Sequence, residues 1–294
     1  MRKLEKCSLP IPMSGLCVRA LENDSTGVGN AAYNLPLMTV RSATCQGGWR
    51  TGTMNPIIDF LKQTEGTVFV NEDGCKDDFT LKPPLTEQEL LAFETSLPCP
   101  LPDEIRELLR FARGFDGVLD GIDFADSVGL GLEDIFPHAR SLAADGYGNY
   151  WVVDLTRESK SFGPIFYACH DAPVIVYQTD SLLHFIREVV RFGNKPWKSE
   201  IDEVYETFSN RIWRENPCVL NFAQCLATGD EDLKEFAESL GESWEFADLR
   251  NPSLGDGYSW GRYGPKTLNR RHRNNRIFAC QKKSRGRRFL DALR

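Results

Sequence analysis

A series of helix and strand signals in residues 84–193 constrains the fold more than any other part of the chain. Thr86 and Glu89 predict a capping box at the start of one helix. Residues 102–114 predict a second helix that begins at a proline and ends at a glycine suited to a left-handed stop. The sequence Asp-Gly-Tyr-Gly-Asn at residues 145–149 predicts a turn. The segments that follow are predicted strands at 150–155, 164–169 and 173–178 and a helix at 182–193. This order predicts an α+β domain with a small, central, mostly antiparallel sheet flanked by helices.

A family resemblance rests on four stretches of this region. The stretch LTEQELLAFETSLPCPLPDEIRELLRFARGFDG is followed by ADGYGNYWVVDL, GPIFYACHD and LLHFIREVVRF. Their order and spacing resemble the SUKH superfamily, the Smi-Knr group of cell-wall-assembly regulators and bacterial toxin-immunity proteins. The resemblance implies an α+β fold and a role in protein binding rather than catalysis. The alternative is an unrelated α+β domain with the same order of elements.

The rest of the chain divides by composition and periodicity. Residues 1–53 lack a sustained period, so we expect them to be disordered or, if Met54 is the true start, to be an over-extended reading frame. Residues 54–193 are assigned to the α+β domain, with its core at about 84–193. Residues 194–250 predict a helical C-terminal extension packed on that core. Residues 251–294 predict a linker rich in glycine and aromatic residues, followed by a basic tail.

Cysteine usage and hydropathy predict a cytoplasmic protein. The nine cysteines are odd in number, scattered and without a Cys-x-x-Cys pair, which argues against a disulfide framework or a zinc ribbon. No apolar run approaches the roughly 18 residues needed to span a bilayer. The first residues are interrupted by Glu5, Pro10 and Pro12 before an export signal could form. We therefore expect reduced thiols and no membrane insertion.

Motifs typical of enzymes are missing from the sequence. The Gly129-Leu130-Gly131 segment has Asp134 where a dinucleotide-binding motif needs its third glycine. Cys169 and His170 are neighbours on a predicted strand, so their side chains point to opposite faces, which works against a catalytic pair. The four histidines are too separated to predict a metal site. The sequence therefore predicts no catalytic residue, no metal and no cofactor.

Two separate groups of residues suggest a surface for a protein partner. The aspartates at 116–126 lie in a glycine-rich segment and predict an acidic patch or, as an alternative, a weak cation site. The aromatic and polar residues at the predicted turn form the second group. Complementary charge speeds encounter with a basic partner, such as a toxic nuclease that must itself bind phosphate, and aromatic residues often anchor interfaces. The candidate partner-binding residues are Asp116, Asp120, Asp123, Asp126, Asp145, Tyr147, Asn149 and Trp151. Trp151 fits a core position equally well, and an acidic surface is also ordinary for a cytoplasmic protein.

The end of the chain is strongly basic although the whole chain has a net charge of -7. Residues 262–294 contain twelve Lys or Arg and one acidic residue, Asp291. Such a tail could contact phosphates of a nucleic acid. The candidate nucleic-acid contacts are Arg270, Arg271, Arg273 and Arg276. The alternative, which we favour, is that the tail lies on the acidic body of the protein or stays solvated.

Three functional hypotheses follow from these patterns. The first is a non-enzymatic bacterial immunity protein that binds and neutralises a toxin. The second is a regulatory scaffold of the cell-wall-assembly type that binds host proteins. The third is a nucleic-acid-associated protein that uses the basic tail.

Overall fold

The computed structural model describes residues 55–71, 74–126, 131–264, 266–273 and 275–282. The helices are α1 (Pro56–Thr64), α2 (Glu87–Thr95), α3 (Asp103–Phe111), α4 (Leu182–Phe192), α5 (Glu200–Asp202), a π-helical segment (Glu203–Phe208), α6 (Ser209–Glu215), α7 (Phe222–Ala227) and α8 (Glu231–Leu240). The strands are β1 (Val68–Val70), β2 (Lys76–Asp78), β3 (Thr80–Leu81), β4 (Gly114–Asp116), β5 (Ile122–Asp123), β6 (Arg140–Ala144), β7 (Tyr150–Val153), β8 (Ile165–Cys169), β9 (Val174–Thr179), β10 (Val219–Asn221), β11 (Trp244–Asp248), β12 (Gly257–Tyr258), β13 (Asn269–Arg271) and β14 (Ile277–Gln281). The predictions for residues 1–53, for Met54 and for the tail from residue 283 onward lie outside the described residues.

Antiparallel sheets form the centre of the described chain. The larger sheet has eight strands in the order β12-β9-β8-β7-β6-β5-β4-β3, and every described pairing in it is antiparallel. A second sheet has the order β10-β11-β14-β13, and β1 pairs with β2. The α+β class with an antiparallel sheet flanked by helices is confirmed. The sheet is larger than the three predicted strands because β3, β4, β5 and β6 extend it on one side and β12, from beyond the predicted domain, adds to its other edge.

Local signals account for the helices that precede and follow the central strands. The capping box of α2 is present: Thr86 Oγ1 accepts from Glu89 N at 3.2 Å, and Glu89 Oε2 accepts from Thr86 N at 2.8 Å. The second predicted helix, α3, ends at Phe111 rather than at Gly114. Gly114 instead begins β4, where an added Cβ would lie 1.9 Å from the Ile122 carbonyl oxygen. Glycine is therefore needed there for close strand approach and not for a left-handed turn.

One face of the large sheet packs against helices. Side chains from alternate positions of β7, β8 and β9 point to this face, as the two-residue period of a strand requires. They share a hydrophobic core with residues of α2, α3, α4 and the helical segment from α5 to α6. The buried strand residues on this face are Trp151, Val153, Ile165, Tyr167, Cys169, Val174 and Val176.

The opposite face of the same strands packs against the second sheet. Val152, Phe166 and Ile175 form a second core with Phe278 and Cys280 of β14. The far side of the second sheet is covered by α7 and α8 through a third core. The order of layers is therefore helices, large sheet, small sheet and helices. Both faces of the large sheet are buried. The sequences of β7 and β8 and the start of β9 are therefore continuously hydrophobic and do not alternate between apolar and polar residues.

The C-terminal region departs from its predicted organisation. Residues 194–250 contain the expected helices, but they also include β10 and β11. Residues 251–294 were predicted to be a linker and a tail, whereas β12, β13 and β14 lie within them. Phe278 is fully buried and stacks on Tyr258 with ring centroids 5.5 Å apart. The described part of this basic region is thus a folded sheet, because pairing with β11 gives its backbone partners that lie far away in sequence.

Candidate functional site

The turns that join the central strands gather at one end of the large sheet. Because β6 to β9 are antiparallel neighbours, residues 145–149 and residues 170–173 connect them at the same end. The loop 117–121 between β4 and β5 reaches this end as well, where Asp120 N donates to Ala144 O at 3.1 Å. Three connections that are separate in sequence therefore form one surface.

Close contacts between these connections define the surface. An added Cβ at Gly146 would lie 3.3 Å from Asp120 Oδ2, so that carboxylate lies directly against the turn. An added Cβ at Gly148 would lie 3.1 Å from His170 Cε1. We call the residues exposed here the loop-end surface: Asp116, Asp120, Tyr147, His170 and Asp171.

Asp145 and Asn149, two predicted contact residues, hold the turn in place. Asp145 Oδ1 accepts from Tyr147 N at 2.8 Å and from Asn149 N at 3.1 Å, while its Oδ2 accepts from Asn149 Nδ2 at 2.6 Å. Asn149 is buried, and its Oδ1 accepts from His170 N at 2.9 Å. Their polar atoms are used inside the protein, so they position the loop-end surface rather than form it.

Trp151 lies in the core below the turn, which corrects its assignment as a surface contact. Only 1% of the residue is exposed, and its indole lies 4.7 Å from the Tyr167 ring, centroid to centroid. The Tyr167 hydroxyl donates to Asp145 Oδ2 at 3.3 Å, which links this aromatic cluster to the turn. Tyr147, in contrast, is 50% exposed. It is the aromatic side chain of the turn that a partner can reach.

The remaining predicted aspartates lie next to basic side chains. Asp116 Oδ1 is 3.4 Å from Lys82 Nζ, and the Asp116 side chain is 58% exposed. Asp123 Oδ2 is 2.8 Å from Arg113 Nε, and hydrogen bonding to Asp123 raises the pKa of Arg113. Asp126 adds to the negative potential at Arg113. Asp123 therefore forms an ion pair with Arg113, and Asp126 interacts with the same charge. Asp116 lies at the loop end, beside Gly121.

Comparison with known families agrees with this arrangement of helices and strands. Residues 84–188 match the model of the SMI1 / KNR4 family (SUKH-1). The chain carries a SUKH-1 domain. No curated protein and no solved structure shows significant similarity to the chain. The SUKH-1 match contains every residue of the loop-end surface and ends within α4, so the second sheet, α7 and α8 lie beyond it.

The chemistry of the SUKH-1 domain at this end does not favour nucleophilic catalysis. Burial raises the pKa of the Cys169 thiol, whereas a reactive cysteine needs a lowered value. His170 Nδ1 lies 2.8 Å from Asn149 Oδ1 and its Nε2 lies 3.3 Å from Asp171 Oδ1, so both ring nitrogens have polar neighbours other than a thiol. Among the described residues, no group of His, Cys, Asp and Glu is arranged to hold a metal ion. The described helices include none long and apolar enough to cross a membrane.

The arginines predicted to contact nucleic acid are engaged within the protein. Arg271 is bidentate on Asp154, with N–O distances of 2.8 and 2.9 Å, and its side chain is 4% exposed. Arg276 Nε donates to Asp154 Oδ2 at 2.9 Å. Arg273 pairs with Glu235, and Arg270 Nη1 lies 3.9 Å from Asp134 Oδ1. Arg271 is therefore a buried structural cation, and these pairs favour the alternative that the tail lies on the acidic body.

Three residues with a role in the structure were not predicted from the sequence: His170 and Asp171 of the loop-end surface, and Asp154, which binds Arg271 and Arg276. His170 was considered only as a catalytic partner of Cys169, although the position of His170 and Asp171 after one predicted strand and before the next marks a turn. Asp154 lies within the strand predicted at 150–155 and was given no role of its own. Nothing in its local sequence indicates that it pairs with arginines more than 100 residues away.

Proposed function

We propose that this protein acts by stoichiometric binding of another protein, as an immunity protein that neutralises a toxin. The SUKH-1 match supports a protein-binding role, and the loop-end surface is the observation that carries the proposal. It presents carboxylates and one exposed aromatic side chain around a turn that is held by the hydrogen bonds of Asp145. A rigid aromatic anchor among charges is typical of a binding surface, because little side-chain entropy is lost on contact.

The negative charge of the loop-end surface favours a basic protein as the partner. Asp116, Asp120 and Asp171 lie among few cations, with Lys82 and the partly exposed His170 nearby. Such a surface attracts a basic protein and repels an acidic one. A secreted nuclease whose active site binds phosphate has the complementary charge, so the carboxylates would cover that site and exclude its substrate. No catalytic step by the immunity protein is needed.

Capture of a partner with matched variants tests the proposal. The full-length protein is used as bait in extract of its native cells, beside a Tyr147→Ala variant, an Asp120→Lys variant and a control, Glu238→Lys. Glu238 is exposed on α8, away from the matched domain, and has the same change in charge. Loss of an anchor side chain typically weakens binding by about 2 kcal/mol, roughly 30-fold in Kd. We expect Tyr147→Ala and Asp120→Lys to lose the partner and Glu238→Lys to retain it.

The purified partner then decides the class of function. Inhibition of a toxic activity that is complete at a one-to-one ratio supports an immunity protein. A captured partner that binds equally to all the variants would contradict the use of the loop-end surface. The second candidate function is a regulatory scaffold, which the SMI1 / KNR4 match supports equally well. Capture of cell-wall or signalling proteins without any inhibited toxin would favour it.

A further inference from the structure

An open groove of about 760 Å³ lies at the end of the large sheet opposite to the loop-end surface. Its walls come from the β7–β8 connection, from Asp180 after β9, from Arg250 after β11 and from three residues between β13 and β14, Arg273, Asn275 and Arg276. The groove thus lies between the SUKH-1 domain and the second sheet. Its volume is within the range of sites that hold a small molecule.

The walls of the groove are fixed by contacts inside the protein. Thr156 N donates to Ser159 Oγ at 2.9 Å, which closes a turn in the β7–β8 connection. An added Cβ at Gly163 would lie 2.5 Å from the Asp180 carbonyl oxygen, so this connection packs tightly against the start of α4. Arg250 is held by Asp230, Asp232 and Asp248. A preformed groove of this kind loses little entropy when a ligand binds.

Arg276 presents unused hydrogen-bond donors to the groove. Its Nε is fixed by Asp154, yet within the described part of the chain its two terminal nitrogens have no acceptor. The Asp154 carboxylate is fully buried and is shared by two guanidinium groups, Arg271 and Arg276. One negative charge therefore faces two positive charges, which leaves the terminal donors of Arg276 able to bind an oxyanion.

Further donors line the same groove. Lys160 is exposed and has no ion-pair partner among the residues that the structure describes. The hydroxyls of Thr156, Ser159 and Ser161 lie along the same connection. The carboxylate of Asp180 also lines the groove, and burial together with this carboxylate raises the pKa of Tyr177. The ligand therefore needs an oxyanion for the cations and a hydroxyl or amine donor for Asp180.

We infer that this groove binds a small polar molecule that carries an oxyanion, a phosphate or a carboxylate, together with a hydrogen-bond donor. Arg276 and Lys160 contact the oxyanion, and Asp180 accepts from the donor group. This site is separate from the loop-end surface and goes beyond the proposed protein binding.

Calorimetric titration of the full-length protein tests this inference with four probes: inorganic phosphate, adenosine monophosphate, glucose 6-phosphate and glutamate. We expect at least one to bind with a Kd at or below ~1 mM, weakened as salt is raised. Saturation by the phosphate probes alone identifies a phosphate site, and saturation by glutamate alone identifies a carboxylate site. The inference is overturned if none of the four saturates the protein by ~10 mM.

Two variants connect binding to the groove. Lys160→Ala removes one exposed cation that forms no ion pair among the described residues, and Lys266→Ala is its control on an exposed residue outside the groove. Arg276→Gln keeps a donor near Asp154 but removes the charge. We expect Lys160→Ala and Arg276→Gln each to weaken binding by about 10-fold or more, as for loss of a charge-assisted hydrogen bond. If the folded Lys160→Ala and Lys266→Ala variants bind the probe with equal affinity, Lys160 does not contact the ligand and the assignment of the site to this groove is wrong.

Discussion

Asp154→Ala is expected to cause a large loss of stability, because Asp154 joins the two sheets. Asp154 directly follows β7 of the large sheet, and its side chain has no exposed surface. It accepts three hydrogen bonds at 2.8 to 2.9 Å from two arginines of the small-sheet hairpin, Arg271 and Arg276. The substitution removes the carboxylate that the Arg271 guanidinium binds in a bidentate manner.

The magnitude follows from how each arginine can respond. Arg271 is 4% exposed, donates also to Ile135 O and Asn275 O, and lies over the Phe278 ring, so it cannot turn to water without disturbing the hairpin. Arg276 is 23% exposed and can be hydrated in part. Removing one partner of a buried ion pair costs about 3–5 kcal/mol. Since a domain is typically stable by about 5–15 kcal/mol, Asp154→Ala would remove a large fraction of the free energy of unfolding.

Equilibrium urea denaturation, followed by tryptophan fluorescence and circular dichroism, measures this loss. A double variant, Asp154→Leu with Arg271→Met, removes the two most buried charges and fills their space with apolar atoms, whereas Arg276 stays partly exposed to water. We expect the double variant to recover much of the stability, since replacing a buried ion pair with apolar residues is often neutral or stabilising. A loss under about 1 kcal/mol for Asp154→Ala, or a double variant no more stable than Asp154→Ala, would refute the reasoning.

Three further substitutions test other parts of the structure. Phe278→Ala is expected to cost about 3–5 kcal/mol in urea denaturation, because Phe278 is buried in the core between the sheets; a residue of a solvated tail would show almost no change. Gly148→Ala should cost about 1–2 kcal/mol, since its φ of 87° is left-handed and the added methyl meets His170; unchanged stability and partner binding would argue against a rigid turn. Burial lowers the pKa of His272 below its usual value of 6.5. On acidification the imidazole is therefore protonated at a higher pH in the unfolded chain than in the folded protein, so stability falls as pH drops through 6.5. His272→Phe, which can pack on Phe236, should weaken that dependence between about pH 7.5 and 5.5, and an identical pH profile in the variant would contradict the assignment.

Local chemistry made part of the fold predictable from the sequence. The capping box of α2 joins Thr86 and Glu89, three residues apart, and the Ser181 cap of α4 is equally local. Gly146 and Gly148 adopt positive φ in the predicted turn. The order of these signals also supported the family resemblance that the match at residues 84–188 confirms. Of the candidate site, Asp120 and Tyr147 could be found in this way, because both lie in turns.

Pairing between distant segments decided the rest. Gly114 was predicted to stop a helix, but its place in β4 depends on the approach of Ile122. Trp151 could have been core or surface, and the helices packed on the sheet placed it in the core. Arg271 was one cation among many in a basic segment, and only the pairing of β11 with β14 brings its hairpin to Asp154. Short-range signals determine helix starts and turns, whereas the burial of a charge depends on which distant strand covers it. For this protein the sequence by itself therefore determined the class of the SUKH-1 domain, and the tertiary structure decided that the strand at 277–281 of its basic C-terminal segment is part of the core.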